Sequence, residues 1–273
     1  MEEPRLKFSD RWMFNRVLCQ EGVCRRVIRA AFGIDAGEIT YLNAEQACEP
    51  SAEGRGVRMD VVARGGGRCY DIEMQIEKEA LLGRRMRYYQ AAMDASELER
   101  GDGFGALPES YILFVCCSDT YGLGLPEYTL ERTCLEAPAL EVGDDSHWKV
   151  LNARAWADAA DPDLCDLLRY LREDSAGGEL SREIDSLVDE YNSDRKWVSR
   201  VMMLEEDIAM RCRRERAEGR EEGRAEGLAA GRAETAKMAA LMARLLREGR
   251  VEEAARAAED AAFRERMLSK ECA

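Results

Sequence analysis

The sequence predicts a mixed α/β domain followed by a long, charge-rich helical region. The run YILFVCC, residues 111–117, is short and wholly apolar, which is typical of a central strand covered on both faces. Two further strand-like segments, 57–63 and 69–76, are separated by consecutive glycines that can supply a hairpin turn. Later in the chain the spacing of apolar residues becomes mostly helical. We therefore divide the chain into an α/β domain, 1–176, and a helical region, 177–273.

The remaining elements of the first domain alternate between helices and strands. Apolar residues recur at helical spacing from Arg11 to Gly33, where Ser9 or Asp10 can cap the start and Gly33 can end the helix. Four other segments complete the prediction: a strand over 39–42, a helix over 80–99, and strands near 127–133 and 147–151. The order of helix, strands, helix and strand indicates a mixed sheet with helices packed on it.

In the helical region, glycines recur at every fourth residue within a segment rich in Arg and Glu. On a helix, Gly219, Gly223, Gly227 and Gly231 would form one drifting stripe. Each glycine disfavours a helix by about 1 kcal/mol relative to alanine. One interpretation is a helix whose glycine stripe lets a partner helix approach closely. The other interpretation is a charged, half-ordered hinge.

The helical region is also where we expect self-association. The segment 236–268 is rich in Ala, Leu and Met and is interrupted at Gly249. The glycine stripe has little apolar area, so the stretch Met238–Leu246 would supply most of the association energy. The alternative is a lone, fraying charged helix. We expect a homo-oligomer held together by its C-terminal helices.

Composition and charge limit the classes of protein to consider. The 273 residues include 46% apolar residues, enough for a substantial core, and carry a formal net charge of −14. That charge argues against nucleic-acid binding by the chain as a whole, because phosphate contacts need Lys and Arg. The location of charge matters more than its sum, however, and a metal-dependent site has its own reason to be acidic.

Cysteine and histidine usage argues against a zinc site. The ten cysteines are scattered without a CxxC pair, and the single histidine, His147, lies beside Trp148, where a structural role is expected. Reduced, buried thiols fit a cytoplasmic protein. No apolar run approaches the ~18 residues that a membrane span requires. The start, MEEPRLKFSD, does not have the pattern of a signal peptide.

Three polar residues on the predicted hairpin form a candidate site. Glu73 and Gln75 are two residues apart, so they point to the same face of their strand, opposite the apolar face of Ile72, Met74 and Ile76. If the strands pair through the glycine turn, that face also gathers Asp60 from the preceding strand. Two converging carboxylates repel each other, and a divalent cation such as Mg²⁺ would relieve the repulsion.

An Asp on one strand, a hairpin, and E-x-K on the next strand is the active-site layout of the PD-(D/E)xK nucleases; here the motif is D…E-x-Q. The chain resembles the PD-(D/E)xK nuclease family transposases, also called the Rpn recombination-promoting nucleases. The matching segments are SDRWMFNRVL, RMDVVA…YDIEMQ, RRMRYYQAAMD, YILFVCC and DTYGLGLPEYTLE. They span roughly residues 8 to 175 in a consistent order, and IEMQ following R-x-D is fairly specific, whereas a bare D…E-x-Q would not be.

The resemblance implies a restriction-endonuclease-like core and a Mg²⁺-dependent endodeoxyribonuclease, with Mn²⁺ as an alternative metal, linked to DNA recombination or transposition. It implies that Asp60, Glu73 and the backbone carbonyl of Met74 bind the metal. Gln75 stands where the superfamily usually has lysine; its amide can orient water but brings no positive charge. Asp10 matches a further acidic position of the family. Nothing in the sequence shows strand transfer.

Each of these assignments has a structural alternative. Asp60 and Glu73 could lie on a solvated sheet face, with Gln75 as a polar filler. Three arginines on the following helix could contact phosphate or form a solvated face: Arg84, Arg85 and Arg87. Tyr88 and Tyr89 are expected to pack rather than stack on bases. The rival to a nuclease is a catalytically inactive protein of the same fold that acts as an assembly or DNA-binding module through its helical tail.

Overall fold

The structure is a computed structural model that describes residues 5–48 and 56–269. Within these residues six strands form one sheet: β1 (Ile39–Cys48), β2 (Val57–Gly65), β3 (Arg68–Gln75), β4 (Glu109–Cys116), β5 (Glu127–Leu130) and β6 (Ser146–Asn152). The described α-helices are α1 (Arg11–Leu18), α2 (Glu21–Phe32), α3 (Leu82–Glu97), α4 (Pro162–Glu173), α5 (Glu179–Ser193), α6 (Arg195–Arg247), α7 (Val251–Glu259) and α8 (Ala261–Ser269). Short 3₁₀ helices lie at Phe104–Ala106 and Ala153–Asp158.

The sheet is mixed, with the spatial order β1-β2-β3-β4-β6-β5. Strands β1, β2 and β3 pair antiparallel, whereas β4 lies parallel to both β3 and β6, and β5 pairs antiparallel with β6. Strand β4 is internal, and all its residues from Ser110 to Cys116 are buried. The central strand predicted from YILFVCC is therefore confirmed.

Helices cover both faces of the sheet. On one face, α3 packs against strand residues that include Val62, Ile112 and Phe114. On the other face, α1, α2, α4 and α5 pack against the alternate residues, including Ile72 and Leu113. Along β4, for example, the period of two places one apolar set in each of two core layers. The predicted α/β class, a mixed sheet flanked by helices, is confirmed.

The hairpin between β2 and β3 follows from its glycines. Gly66 and Gly67 have φ values of +61° and +77°, as a two-residue turn between right-twisted strands requires. Gly65 pairs with Arg68 across the turn. A Cβ on Gly65 would lie 2.5 Å from the carbonyl oxygen of Glu38, so this position needs glycine because the backbones approach closely.

The single helix predicted over 11–33 is wrong, because the chain breaks it into α1 and α2. Gln20 adopts an extended conformation between them, with φ −84° and ψ 115°. Its side-chain Nε2 donates a hydrogen bond to the hydroxyl of Tyr191 at 2.6 Å. This contact comes from α5, far along the chain, so the local pattern could not indicate it. Gly33 ends α2 with φ +70°, as predicted.

The first compact unit extends to Val201, so the predicted boundary at 176–177 lies inside it. Helix α5 buries four side chains against the main core: Leu180, Ile184, Val188 and Tyr191. In addition, the side chain of Asn192 accepts a hydrogen bond from the backbone N–H of Leu6 at 2.9 Å. The start of the helical region therefore belongs to the α/β unit.

The second unit begins at Met202 and consists of helices. Helix α6 continues through all four glycines of the stripe, which agrees with the helical interpretation rather than the hinge. Gly249, with φ +76°, separates α6 from α7, so the predicted interruption is confirmed. Leu241 and Leu245 are buried by α7 and α8 within the same chain. Much of the apolar surface assigned to self-association is therefore already covered.

A membrane span is not found among the described helices, since none combines sufficient length with sufficient apolar character.

The position of the boundary can be tested by truncation. A chain ending at Ala176 loses the buried side chains of α5, each worth about 1.5–3 kcal/mol, which together approach the whole stability of a typical domain. We expect it to lack a cooperative thermal transition by circular dichroism, whereas a chain ending at Val201 keeps one. Equal melting temperatures for the two chains would contradict the assignment of α5 to the first unit.

Candidate active-site cleft

The site lies where β2 and β3 separate. Their regular pairing ends at Val61 and Ile72. Beyond that point, side chains replace backbone partners: the N–H of Asp60 donates to Oε1 of Glu73 at 2.6 Å, and the N–H of Met74 donates to Oδ2 of Asp60 at 3.2 Å. Each acid thus satisfies a backbone N–H on the opposite strand. The two carboxylates are brought together in the gap between the diverging strands.

An irregularity in β2 sets the position of Asp60. Met59 packs in the core layer that contains α3, whereas Val61 packs in the other layer. The simple alternation of the strand is therefore interrupted at Asp60. On β1, Glu45 lies between the residues paired with Met59 and Val61 and has φ +59°, an uncommon value for a residue other than glycine. The local distortion accompanies the turn of Asp60 into the gap.

Arg85 of α3 bridges the two functional residues of β3. Its Nη2 lies 2.6 Å from Oε2 of Glu73 and 3.0 Å from the hydroxyl of Tyr89, and its Nη1 lies 2.7 Å from Oε1 of Gln75. The guanidinium also lies over the rings of Tyr89 and Phe114, with its carbon 4.9 Å and 5.0 Å from their centroids. The side chain is therefore held by hydrogen bonds at its head and by cation–π contacts.

A second arginine, Arg11 of α1, forms an ion pair with Asp60. Its Nε lies 3.0 Å from Oδ1 of Asp60, and its Nη2 lies 3.5 Å from Oε1 of Glu45. Nε is buried and makes no hydrogen bond of good geometry with any described residue. The contact with Asp60 is thus an ion pair without a well-directed hydrogen bond. Arg11 and Arg85 come from helices that cover opposite faces of the sheet, and they meet at the same gap.

This gap opens into a cleft of about 770 Å³. Its charged lining residues are Arg11, Arg58, Arg84, Arg85, Asp60 and Glu79. Four arginines against two acids give the lining a formal charge of +2, in a chain whose total is −14. Tyr88 and Leu81 also line the cleft and are exposed. The cleft is therefore a locally basic surface on an acidic protein.

The structure brings together the three residues predicted as catalytic. Asp60 and Glu73 are linked through the N–H of Asp60, and Gln75 joins them through Arg85. Asp60 is 5% exposed and Glu73 is 0% exposed, so the alternative of a solvated sheet face is wrong for both acids. Met74 and Asp60 line the cleft, whereas Glu73 lies behind its wall. Ile76, assigned to the apolar face, follows the end of β3 and is 51% exposed.

Of the additional candidate site residues, some lie in the cleft and others lie outside it. Arg84 lines the cleft, and its contact with phosphate stays a prediction. Arg87 is exposed and does not contribute to the lining formed by the described residues. The carboxylate of Asp10 accepts a hydrogen bond from the N–H of Lys7 at 2.6 Å and belongs to the turn before α1. Its neighbour Arg11 is the residue of that segment that reaches the site.

Sequence reasoning missed two residues, Arg11 and Asp71. Asp71 is fully buried, and neither of its carboxyl oxygens accepts a hydrogen bond from a described residue. The period of two already placed Asp71 on the same strand face as Glu73 and Gln75, so this acid could have been included. Arg11 carried no such signal, because its contact with Asp60 joins α1 to β2.

Burial and mutual repulsion raise the pKa values of these acids. Burial, reinforced by the charge of Asp60, raises the pKa of Glu73 to about 8, although Arg85 opposes the shift. Burial also raises the pKa of Asp60 against the opposing charge of Arg11. The pKa of Asp71 lies well above its ordinary value because of burial and the charges of Glu73 and Asp60. The two arginines therefore do not fully offset the buried negative charge.

The oxygen donors of the site are of the type that a hard cation prefers. Among the described residues, no three His, Cys, Asp or Glu side chains are grouped so as to hold a metal ion. The predicted set is smaller, since Mg²⁺ is commonly held by one or two carboxylates with water and substrate phosphate completing its shell. Asp60, Glu73 and the carbonyl of Met74 would be sufficient. The raised carboxyl pKa values indicate a place where additional positive charge is favourable.

Comparisons with known proteins yield no match: no family model fits the chain, and neither a curated protein nor a solved structure is similar to it. The resemblance to PD-(D/E)xK nucleases therefore rests on the sequence motifs, and the functional argument depends on the residues of the cleft.

The buried carboxyls predict an unusual dependence of stability on pH when metal is absent. The folded-state pKa of Glu73 is about 8, above its ordinary value of 4.5, so the folded state holds a proton that the unfolded state releases. The resulting stabilisation is fully present below the unfolded pKa and is lost as pH rises through the folded pKa. We expect the free energy of unfolding in urea with EDTA to fall between pH 5 and pH 8, by at most about 1.4 kcal/mol per pH unit for each proton.

Glu73→Gln should flatten this dependence, and the exposed-site control Glu99→Gln should not. A slope that is unchanged in Glu73→Gln protein would show that Glu73 is not the responsible group.

Proposed function

We propose that this protein is a metal-dependent endodeoxyribonuclease that hydrolyses phosphodiester bonds. One observation carries the proposal: the buried carboxylate of Asp60 lines a cleft with four arginines, and that of Glu73 lies directly behind the cleft wall, hydrogen-bonded to the N–H of Asp60. The acids supply hard oxygen donors, and the arginines supply contacts for phosphate. A binding site for a neutral ligand would need neither of these features.

The distribution of charge favours an anionic polymer as the substrate. The lining of the cleft has a formal charge of +2, whereas the whole chain has −14, so this surface is far more favourable to a polyanion than the total charge of the chain indicates. The exposed ring of Tyr88 and the exposed side chain of Leu81 offer apolar contact beside the arginines. This combination suits a nucleic acid, with charged phosphates and apolar base faces. By resemblance we assign the protein to DNA recombination or transposition in the cytoplasm.

Each residue of the site has a distinct proposed role. Asp60 and Glu73 hold Mg²⁺, or Mn²⁺ as the alternative, and the carbonyl of Met74 is the third protein ligand. Bound metal supplies water activation and stabilisation of charge on the phosphate. Gln75 orients the attacking water through its amide. Since Gln75 brings no positive charge, the guanidinium of Arg85, 2.7 Å from its Oε1, is the nearest cation from the protein.

A second candidate function is a DNA-binding or assembly module without catalysis. It is favoured by the observation that both acids already have arginine partners and already satisfy backbone N–H groups. In that case Asp60 and Glu73 would be structural residues of the hairpin. Binding of DNA without any cleavage in Mg²⁺ or Mn²⁺ would favour this second candidate.

Plasmid cleavage tests the nuclease directly. We expect the wild-type protein to nick or linearise plasmid DNA in Mg²⁺ and to lose this activity in EDTA. Asp60→Asn and Glu73→Gln should each reduce the rate by roughly 100-fold or more, because a neutral amide is a poor ligand for a hard cation. Gln75→Ala should reduce it less, by about tenfold, as expected for the loss of one water-positioning hydrogen bond.

Two exposed positions provide matched controls for these amide substitutions, Asp158→Asn and Glu99→Gln. Melting curves should confirm that all variants are folded. Wild-type cleavage by folded Glu73→Gln protein would remove Glu73 from the mechanism.

We further propose that the protein self-associates through α6. Among the described residues, a Cβ added at any of the four stripe glycines has no neighbour within 4 Å, so nothing in the chain packs against the stripe. Leu241 and Leu245 are buried inside the second unit, so the apolar contribution must come from elsewhere on α6. Exposed candidates are Met203, Ile208, Met210 and Leu228.

Sedimentation velocity should show a dimer for the full chain at micromolar concentration and a monomer for the chain ending at Val201. Gly223→Leu should weaken association by roughly tenfold or more, since a large side chain prevents close approach of two helices. Gly223→Ala, which keeps the residue small, is the matched variant and should remain dimeric. Equal behaviour of the full and shortened chains would exclude α6 as the interface.

A further inference from the structure

We propose that Arg85 is an exchangeable counter-ion: it occupies Glu73 when the site is empty and moves to a substrate phosphate when metal binds. The inference rests on the proposed function, because it assumes that Glu73 is a metal ligand. It adds a residue that the D…E-x-Q motif does not contain. It also predicts that metal and phosphate bind cooperatively, since the site favours both ligands together over either one alone.

The positions of Arg85 and Glu73 support the exchange. Glu73 is 0% exposed and lies behind the wall of the cleft, whereas Arg85 belongs to that wall. The Nη2 of Arg85 lies 2.6 Å from Oε2 of Glu73, on the side from which the cleft gives access. A cation that approaches this oxygen from the cleft therefore meets the guanidinium first. Two positive groups cannot share that oxygen closely without strong repulsion.

Arg85 can also contact a phosphate in the cleft. Its side chain is 31% exposed, and it faces the same cleft as Arg58 and Arg84. A guanidinium presents five N–H groups in a planar fork, which matches a phosphate as well as it matches a carboxylate. The contacts with the rings of Tyr89 and Phe114 can keep the side chain near the cleft while its head changes partner. A short movement is sufficient because the guanidinium already lines the cleft.

Moving Arg85 away from Glu73 has a free-energy cost that metal and phosphate together would remove. Removing Arg85 from Glu73 without a replacement would leave a buried carboxylate unpaired, which is strongly unfavourable. Metal at Glu73 supplies the missing positive charge, and phosphate in the cleft supplies the missing negative charge for Arg85. Each ligand thus removes the cost that the other would incur alone. Such coupling is reciprocal, so phosphate must tighten metal binding by the same factor as metal tightens phosphate binding.

Binding of Mn²⁺, followed by electron paramagnetic resonance on the full chain without DNA, tests the exchange. We expect Arg85→Met protein to bind Mn²⁺ at least tenfold more tightly than wild type, because the competing cation is gone. A merely structural role for Arg85 predicts the opposite direction, since a disturbed site would bind metal more weakly. Arg87→Met changes the same charge on the same helix outside the cleft lining and should leave the affinity unchanged.

The second arm measures how a DNA duplex changes Mn²⁺ binding to the wild-type protein and to two variants. A phosphorothioate duplex of mixed sequence should tighten Mn²⁺ binding at least tenfold in wild type and much less in Arg85→Met. Glu73→Gln protein is the control, since it shows how much Mn²⁺ the duplex binds by itself. If Arg85→Met does not fold, Arg85→Gln takes its place, because direct binding of duplex phosphate to the metal would also tighten Mn²⁺ binding in wild type. The exchange would be overturned if Mn²⁺ affinity changed neither with the duplex nor on substitution of Arg85, or if it fell in folded Arg85→Met protein. Either result would leave the metal site intact. Absence of Mn²⁺ binding to every variant, with and without the duplex, would instead remove the metal site and with it the proposed nuclease.

Discussion

The separation of β2 and β3 beyond Val61 and Ile72 is the constraint on which the site depends. Two backbone N–H groups lose their ladder partners there, on the buried residues Asp60 and Met74 beside the cleft. An unsatisfied buried N–H costs about 1–3 kcal/mol, so each needs an acceptor. The carboxylates of Asp60 and Glu73 provide these acceptors. The same contacts that stabilise the diverging strands therefore hold two acids side by side.

Two buried acids in turn require positive charge, and the fold supplies it from both layers. Arg11 comes from α1 on one face and Arg85 comes from α3 on the other. Both arginines reach the gap because it opens at the end of the sheet, where neither helix layer closes it. This arrangement explains how a protein with a formal charge of −14 has a locally basic cleft. Arg11 and Arg85 neutralise the acids, and Arg58 and Arg84 add the surplus positive charge that a phosphate would contact.

Sequence patterns predicted the parts of the fold that depend on local chemistry. The apolar run at 111–117 became β4, the glycine turn became the hairpin, and Gly33 and Gly249 end helices. Patterns failed where a distant contact decides the outcome. The break between α1 and α2 lies at Gln20, whose side chain contacts Tyr191 of the distant α5, and α5 belongs to the first unit because its apolar face fits the core. The acids of the site follow from a period of two along one hairpin, whereas the arginine partners depend on tertiary packing that no local pattern records.

The ion pair between Arg85 and Glu73 also limits how the site can work. Two unit charges about 4 Å apart interact by roughly 4 kcal/mol at the effective dielectric constant of a protein surface. A divalent cation on Glu73 would repel Arg85 about twice as strongly, on the order of 8 kcal/mol, which is comparable to the total stability of a typical domain. Metal and Arg85 therefore compete for Glu73. Either the arginine stays and the acids are structural, or it leaves and becomes the cation that Gln75 does not provide.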